Sequence, residues 1–277
     1  VEYIFLTSLK SVFLSSYYSR PDDQKMKLVL NPSYCQLRNF VQKLPISFPT
    51  LGDCIYKARN ELRKFSYEGQ WYVVKNYKVP LFINRIAYTF FRPSKASRAY
   101  EYALKLRSMG IETPAPVAYI ELKSGGLLQH SFFVSENCSY PRMMREFEEG
   151  GIAGREDILE AFAAFTVDLH KKGVLHLDYS AGNILFDKQE EGIVFSIIDL
   201  NRMRFIPMTP KMCLANFNRF CRDESVVRYV VGVYARLRGW DEVTSIEEAL
   251  RAHREFWVKI ERKETLKRRR ESSHSLK

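Results

Sequence analysis

The chain has 277 residues, 46% hydrophobic and 27% charged, with a formal net charge of +11. That length and composition suit one large domain or two lobes, with a core that needs neither disulfides nor metals. The five cysteines (Cys35, Cys54, Cys138, Cys213 and Cys221) are odd in number and scattered without a CxxC pair, which argues against a disulfide framework or zinc site and for a reducing compartment.

In chain order, the opening 25 residues hold two apolar bursts split by Lys10, without the basic start and small-residue cleavage site of a secretory signal. They are expected to be an over-called start, the functional chain beginning near Met26. Residues 1–50 are read as an N-terminal extension, 51–136 as a first lobe and 137–277 as a second. "CIYKAR", "ELRKFSYEG" and "QWYVVKNYKV", rich in β-branched and aromatic residues, predict a three-stranded antiparallel meander from Gly52 to Lys78. Pro93 and Ser94 open a helix that runs to Gly110, with Tyr100, Leu104 and Leu106 on its apolar side. "TPAPVAYIEL" and "HSFFVSE" predict two more strands, and a composition shift near Asn137–Pro141 marks the lobe boundary.

The second half reads as mostly helical. Ile158, Leu159, Phe162, Phe165, Val167 and Leu169 recur at near-helical spacing in a helix that Gly173 stops. The stretch "VLHLDYSAGNILFD" (174–187) places a polar loop between two short apolar strands, and "IVFSIIDL" is a strand ending at Asp199. Several helices follow from Pro210. The tail after Glu261 carries seven Lys or Arg against two Glu, either a solvated helix end or an attraction to an anionic surface. No zinc-finger or RNP-type motif supports nucleic acid as the partner. No stretch reaches the roughly 18–20 apolar residues of a membrane span.

Four features carry chemistry. Lys75 sits inside an apolar strand, where a lysine is costly without an anionic partner. Glu101 sits mid-helix among apolar neighbours. Asp178 and Asn183 form H-x-D-x4-N, and Asp199 follows sixteen positions later. Phosphoryl transfer from ATP needs a cation on the phosphates, a hard metal held by oxygen donors and a carboxylate at the incoming hydroxyl. The bland alternatives are an Asx-type turn for Asp178 and Asn183 and a lobe-fixing ion pair for Lys75 and Glu101. His176 is expected to order the loop by hydrogen bonding, and Trp71, Trp240 and Trp257 are read as core or packing residues.

The order Lys, Glu, H-x-D-x4-N, Asp is that of protein kinases. Residues 52–260 resemble the protein-kinase-like fold and, within it, the lipopolysaccharide core kinases, the family that includes Kdo (3-deoxy-D-manno-octulosonic acid) kinase. The resemblance rests on "ARNELRKF", "VVKNYK", "INRIAY", "SKASRAYEYALKL", "GIETPAPVAYIE", "VLHLDYSAGNIL" and "IIDLNRMRF". It implies an α+β, bilobal fold: a small N-lobe with an antiparallel sheet and one helix, and a larger, mostly helical C-lobe. It implies that Lys75 contacts the α- and β-phosphates of ATP, paired with Glu101. Asp178 would be the catalytic base, Asn183 and Asp199 would hold Mg2+, and backbone groups of Glu136, Asn137 and Cys138 would meet adenine.

The departures shape the expected substrate. No G-x-G-x-x-G precedes Lys75, so the turn around Lys57, Ala58, Arg59 and Asn60 would cover the phosphates with basic side chains. Leu177 stands where protein kinases carry the H-R-D arginine, Asp199-Leu200-Asn201 replaces D-F-G, and no A-P-E follows. These point away from a regulated protein kinase and to a constitutive kinase acting on a small hydroxylated acceptor, Kdo or heptose of a Kdo–lipid A-like glycolipid. Arg202 and Arg204 are either solvated or poised for acidic groups of that acceptor. The basic tail would hold the enzyme at the inner leaflet, on the cytoplasmic side. A kinase for another small-molecule or protein acceptor and a non-catalytic kinase-fold scaffold remain as alternatives.

Overall fold

The computed structural model describes residues 25–79 and 81–274. The expectation that the first 25 residues are not part of the functional chain concerns residues that, apart from Lys25, lie outside the described ones. The chain divides into two compact units. The first runs up to Ser108 and resumes at Pro114–Cys138; the second comprises Met109–Thr113 and the chain from Ser139 onward. The crossing between Cys138 and Ser139 falls within the stretch where the composition shifts.

The first unit is built on a six-stranded antiparallel sheet in the order β1-β5-β6-β4-β3-β2. Its strands are β1 (Lys25–Leu30), β2 (Asp53–Lys57), β3 (Glu61–Tyr67), β4 (Gln70–Tyr77), β5 (Pro116–Ser124) and β6 (Leu127–Glu136). The expected meander is β2-β3-β4, whose register pairs Leu62 with Lys75 and Phe65 with Tyr72. Period-two alternation gives the sheet two apolar faces. One face presents Phe65, Tyr72, Val74, Ile120, Phe132 and Val134 to Leu37, Val41, Leu44 and Phe48. These last four recur at helical spacing along a 3-10 turn and helix α1 (Arg38–Ser47). Each such side chain, fully buried, contributes about 1.5–3 kcal/mol. The other face presents Tyr77 and Tyr119 to Ala96 and Tyr100.

Residues 25–50, expected to form an extension, therefore supply an edge strand and a core helix to this unit. Among its described residues the unit also carries three helices in place of the expected one: α1, α2 (Phe82–Phe90) and α3 (Lys95–Ser108). On α3 the buried face is Ala96, Ala99, Tyr100, Ala103 and Leu106. Leu104, expected on it, is exposed, because it lies roughly 100° from the centre of that face at about 100° per residue. Trp71 is also exposed at the sheet surface, under the Lys64 ammonium 4.5 Å from its ring centroid, and is not a core residue.

In the second unit, α4 (Glu156–Lys171) buries Ile158, Leu159, Phe162, Val167 and Leu169. It packs on α6 (Glu224–Arg238) and on the hairpin of β9 (Ile184–Gln189) and β10 (Gly192–Ile197), whose other neighbour is the short β7 (Arg142–Met143) beside β9. Gly173 ends α4 with φ +72°, a conformation that favours glycine. The short β8 (Val174–His176) pairs antiparallel with β11 (Met203–Phe205), matching Met203 to His176. Two further helices, α5 (Pro210–Ala215) and α7 (Glu242–His274), complete the unit. The basic tail continues α7, its side chains exposed from Glu261 through Arg268. Among the described residues no helix is long and apolar enough to cross a membrane.

Candidate functional site

In the second unit the β8–β11 ladder joins two chain segments that are distant in sequence. Leu177 N–H donates to the Arg202 carbonyl at 2.8 Å, and Ile198 N–H donates to the Asn183 carbonyl at 2.9 Å. The Asp178 loop and the Asp199 turn are thus tied backbone to backbone on both sides.

His176 is the internal brace. It is fully buried, and its Nδ1 accepts from Asp178 N–H at 3.0 Å while Nε2 lies 3.2 Å from the Ile198 carbonyl. That pattern requires the neutral ring with the proton on Nε2. Burial pushes its pKa down, against the opposing pull of the Asp178 and Asp199 carboxylates. His176 therefore orders the loop and does not serve as a titrating group. Its carbonyl accepts from Asn216 Nδ2 at 2.9 Å, and Asn216 Oδ1 in turn lies 3.1 Å from Nε2 of the buried His170.

Asp178 is fixed by two arginines. Arg219 Nη1 lies 2.8 Å from Asp178 Oδ1 and donates to the Leu177 carbonyl at 2.9 Å, with its guanidinium over the Phe256 ring at 5.0 Å. Arg202 Nη1 lies 3.5 Å from Oδ2. A third arginine, Arg145, lies against the loop at Gly182, where a Cβ would run into its guanidinium. Sequence reasoning missed Arg219 and Arg145. Arg219 lies far along the chain, in a 3-10 turn with no spacing rule to the loop; its aromatic-basic setting, "NFNRF", was the only signal. Arg204 is exposed.

Asn183 Nδ2 donates to the Asp178 carbonyl at 2.9 Å, which turns its amide nitrogen inward and fixes which atom is the oxygen. Asp199 adopts a left-handed conformation, φ 58° and ψ 54°, and accepts from Asn201 Nδ2 at 2.6 Å. An amide oxygen and a carboxylate on adjoining turns are the donor types a hard cation takes. Among the described residues no group of three or more His, Cys, Asp or Glu side chains is placed to hold a metal ion.

In the first unit Lys75, half-buried on β4, has its ammonium 5.3 Å from the Tyr77 ring centroid. Glu101 is exposed on α3 and accepts from Ser97 Oγ at 2.9 Å. It also helps raise the pKa of Lys27, after the larger effect of a hydrogen bond to Tyr119. Lys57 and Arg59 are exposed at the β2–β3 turn, Lys57 within 3.6 Å of Glu61. At the end of β6, Glu136 N–H donates to the Ala115 carbonyl and Asn137 N–H to the Trp71 carbonyl, both at 2.9 Å. The Cys138 carbonyl accepts from Asn137 Nδ2.

No curated protein gives a significant sequence match to the chain. Among solved structures, the chain is similar to "WaaP in complex with acyl carrier protein", at 20% identity and TM-score 0.55, covering 83% of this chain and 98% of that one. It also matches the Rio2 kinase–ADP/Mg2+–phosphoaspartate complex from Chaetomium thermophilum, at 14% identity and TM-score 0.43, covering 75% of this chain and 64% of that one. The likeness to the WaaP structure carries the fold, which is kinase-like, an antiparallel-sheet unit followed by a helical one. Residues 58–231 match the family model described as lipopolysaccharide kinase (Kdo/WaaP), a span that includes Lys75, Glu101, Asp178, Asn183 and Asp199, and the chain belongs to that family.

Proposed function

We propose that the chain transfers the γ-phosphoryl group of ATP to a hydroxyl of an inner-core lipopolysaccharide sugar, Kdo or heptose. The observation that carries this reading is the fixed Asp178 carboxylate, held by Arg219 on a loop whose Asn183 is tied to the turn of Asp199.

Asp178 takes the proton of the acceptor hydroxyl as its oxygen bonds to the γ-phosphorus. The bond from that phosphorus to the bridging oxygen breaks, and ADP leaves with the electron pair. Arg219 keeps the carboxylate aimed, and the arginines beside it suit an acceptor that carries anionic groups. Lys75, oriented by Glu101, places its charge on the α- and β-phosphates, with Lys57 and Arg59 over the phosphate chain and the Glu136–Cys138 stretch at adenine. Bound Mg2+, with Asn183 and Asp199 as oxygen donors, would neutralise charge on the phosphates. The basic end of α7 would draw the enzyme to the anionic inner leaflet from the cytoplasmic side.

The test is transfer of labelled γ-phosphate to purified Kdo–lipid A by the wild-type protein and by Asp178→Ala. Acceptor-dependent label that the variant loses by at least a thousandfold supports the reading. Equal transfer by the variant, or none by a folded wild type that binds ATP, overturns it.

A further inference from the structure

Helix α2 turns two polar side chains toward the protein: Arg85 Nε donates to the Leu128 carbonyl at 3.0 Å, and Thr89 Oγ1 accepts from Leu128 N–H at 3.0 Å. Ile86, Ala87 and Tyr88 are half-buried and Asn84 is exposed. The large apolar side chains at its two ends face outward. Leu81 is 79% exposed, Phe82 63%, Ile83 80%, Phe90 67% and Phe91 80%, and no residue of the helix is fully buried. Ile83 lies two turns from Phe90, so the two share one side of the helix, with Phe82 within about 100° of both, while Leu81 and Phe91 are exposed at its two caps. The exposed apolar area is roughly 600 Å², at or above the largest patch of a typical soluble monomer.

The charge on the segment that carries this patch has one sign. From Lys78 to Tyr100 the chain holds Lys78, Arg85, Arg92, Lys95 and Arg98 and no Asp or Glu. Lys78 and Arg92 are exposed at the two ends of the helix. A second copy of the chain would bring cation against cation at this face, whereas an anionic lipid surface answers both the apolar side chains and the flanking charges.

We infer that α2 is a membrane-inserting helix that lies in the plane of an anionic bilayer surface, with Phe82, Ile83, Phe90 and Phe91 among the acyl chains and Lys78 and Arg92 at the phosphates. It is an apolar anchor, distinct from the basic end of α7, and it does not depend on the identity of the acceptor sugar.

The test is co-sedimentation of the full chain with vesicles of phosphatidylethanolamine and phosphatidylglycerol, free of lipopolysaccharide and ATP, at low and high salt. Wild type, Ile83→Glu/Phe90→Glu and a chain ending at Glu261 are compared, with melting temperature and ATP binding as controls for folding. The inference predicts that the double variant keeps its melting temperature and loses at least tenfold in vesicle binding at both salt concentrations. It predicts that the shortened chain still binds at high salt, where charge attraction is screened. Unchanged binding by the double variant overturns it. So does a self-association of wild type that the double variant abolishes without any vesicle binding, which would assign the patch to a second copy. If the double variant fails to fold, Phe82→Ser/Phe91→Ser is measured in its place, and equal binding there overturns the inference too. A kinase inactive on Kdo–lipid A that still binds vesicles through α2 would refute the acceptor reading alone.

Discussion

His170 should make the second unit acid-sensitive. It is 2% exposed, with Nδ1 3.0 Å from the Tyr234 hydroxyl and Nε2 3.1 Å from Asn216 Oδ1, so it folds as the neutral ring. Burial pushes its pKa from the ordinary 6.5 down to about 4. The unfolded chain therefore takes up the proton first. The stability His170 contributes is complete above pH 6.5, falls as pH drops below it and is gone by about pH 4. Each pH unit in that window costs about 1.4 kcal/mol, so the whole window costs about 3 kcal/mol. Against a typical 5–15 kcal/mol that is a large share. Burial also lowers His130 and His176, which steepen the wild-type profile but cancel in a comparison with His170→Gln. Urea unfolding of both proteins from pH 7.5 to 5 measures the effect. The variant should be less stable by about 1–2 kcal/mol at pH 7.5, for lost buried hydrogen bonds. That deficit should shrink by about 1.4 kcal/mol per pH unit below 6.5. Parallel profiles for the two proteins would refute the reasoning.

Other outcomes follow from single contacts. Gly173→Ala combines a left-handed φ with a Cβ 2.8 Å from the Ile206 carbonyl oxygen, and should lower stability by about 2–3 kcal/mol, read as a drop in urea midpoint. Arg219→Ala removes both holds on the Leu177–Asp178 segment. It should cost about 2 kcal/mol and lower kcat at least tenfold with little change in KM for ATP, while Arg219→Lys recovers part of the loss; an unchanged kcat would deny Arg219 its positioning role. Asp199→Gly relieves a left-handed aspartate, so it should hold or raise stability, by up to about 1 kcal/mol, while abolishing phosphoryl transfer; thermal melts and the labelled-ATP assay read the two effects separately.

The parts of the fold that were legible are those where burial imposes a period. The β2-β3-β4 meander, β5, β6, α3 and α4 each bury alternate or helically spaced side chains, and their sequences carry that pattern. Strand β1 escaped notice because it is a short edge strand with exposed lysines, and α1 because Pro45 sits inside it. In α2, "FINRIAYTF" is aromatic and β-branched, with Arg85 and Thr89 turned inward and Phe82, Ile83 and Phe90 exposed, so the usual rule of apolar-in, polar-out misleads. The shared loop of Asp178 and Asn183 was legible through local spacing, since a five-residue step sets them together. Arg219 and Arg145 reach that loop only through tertiary packing, which no sequence interval encodes. The position of Leu177 illustrates the difference: the missing arginine could be read directly, but the guanidinium that binds its carbonyl comes from residue 219.

The most direct test of the central claim is mass spectrometry of lipopolysaccharide from cells that lack this protein. The account predicts that one inner-core phosphate is missing, that wild-type protein restores it, and that Asp178→Ala, although folded and present at equal abundance, does not. Core lipopolysaccharide with an unchanged phosphate count in the deleted strain, or full restoration by Asp178→Ala, would contradict it.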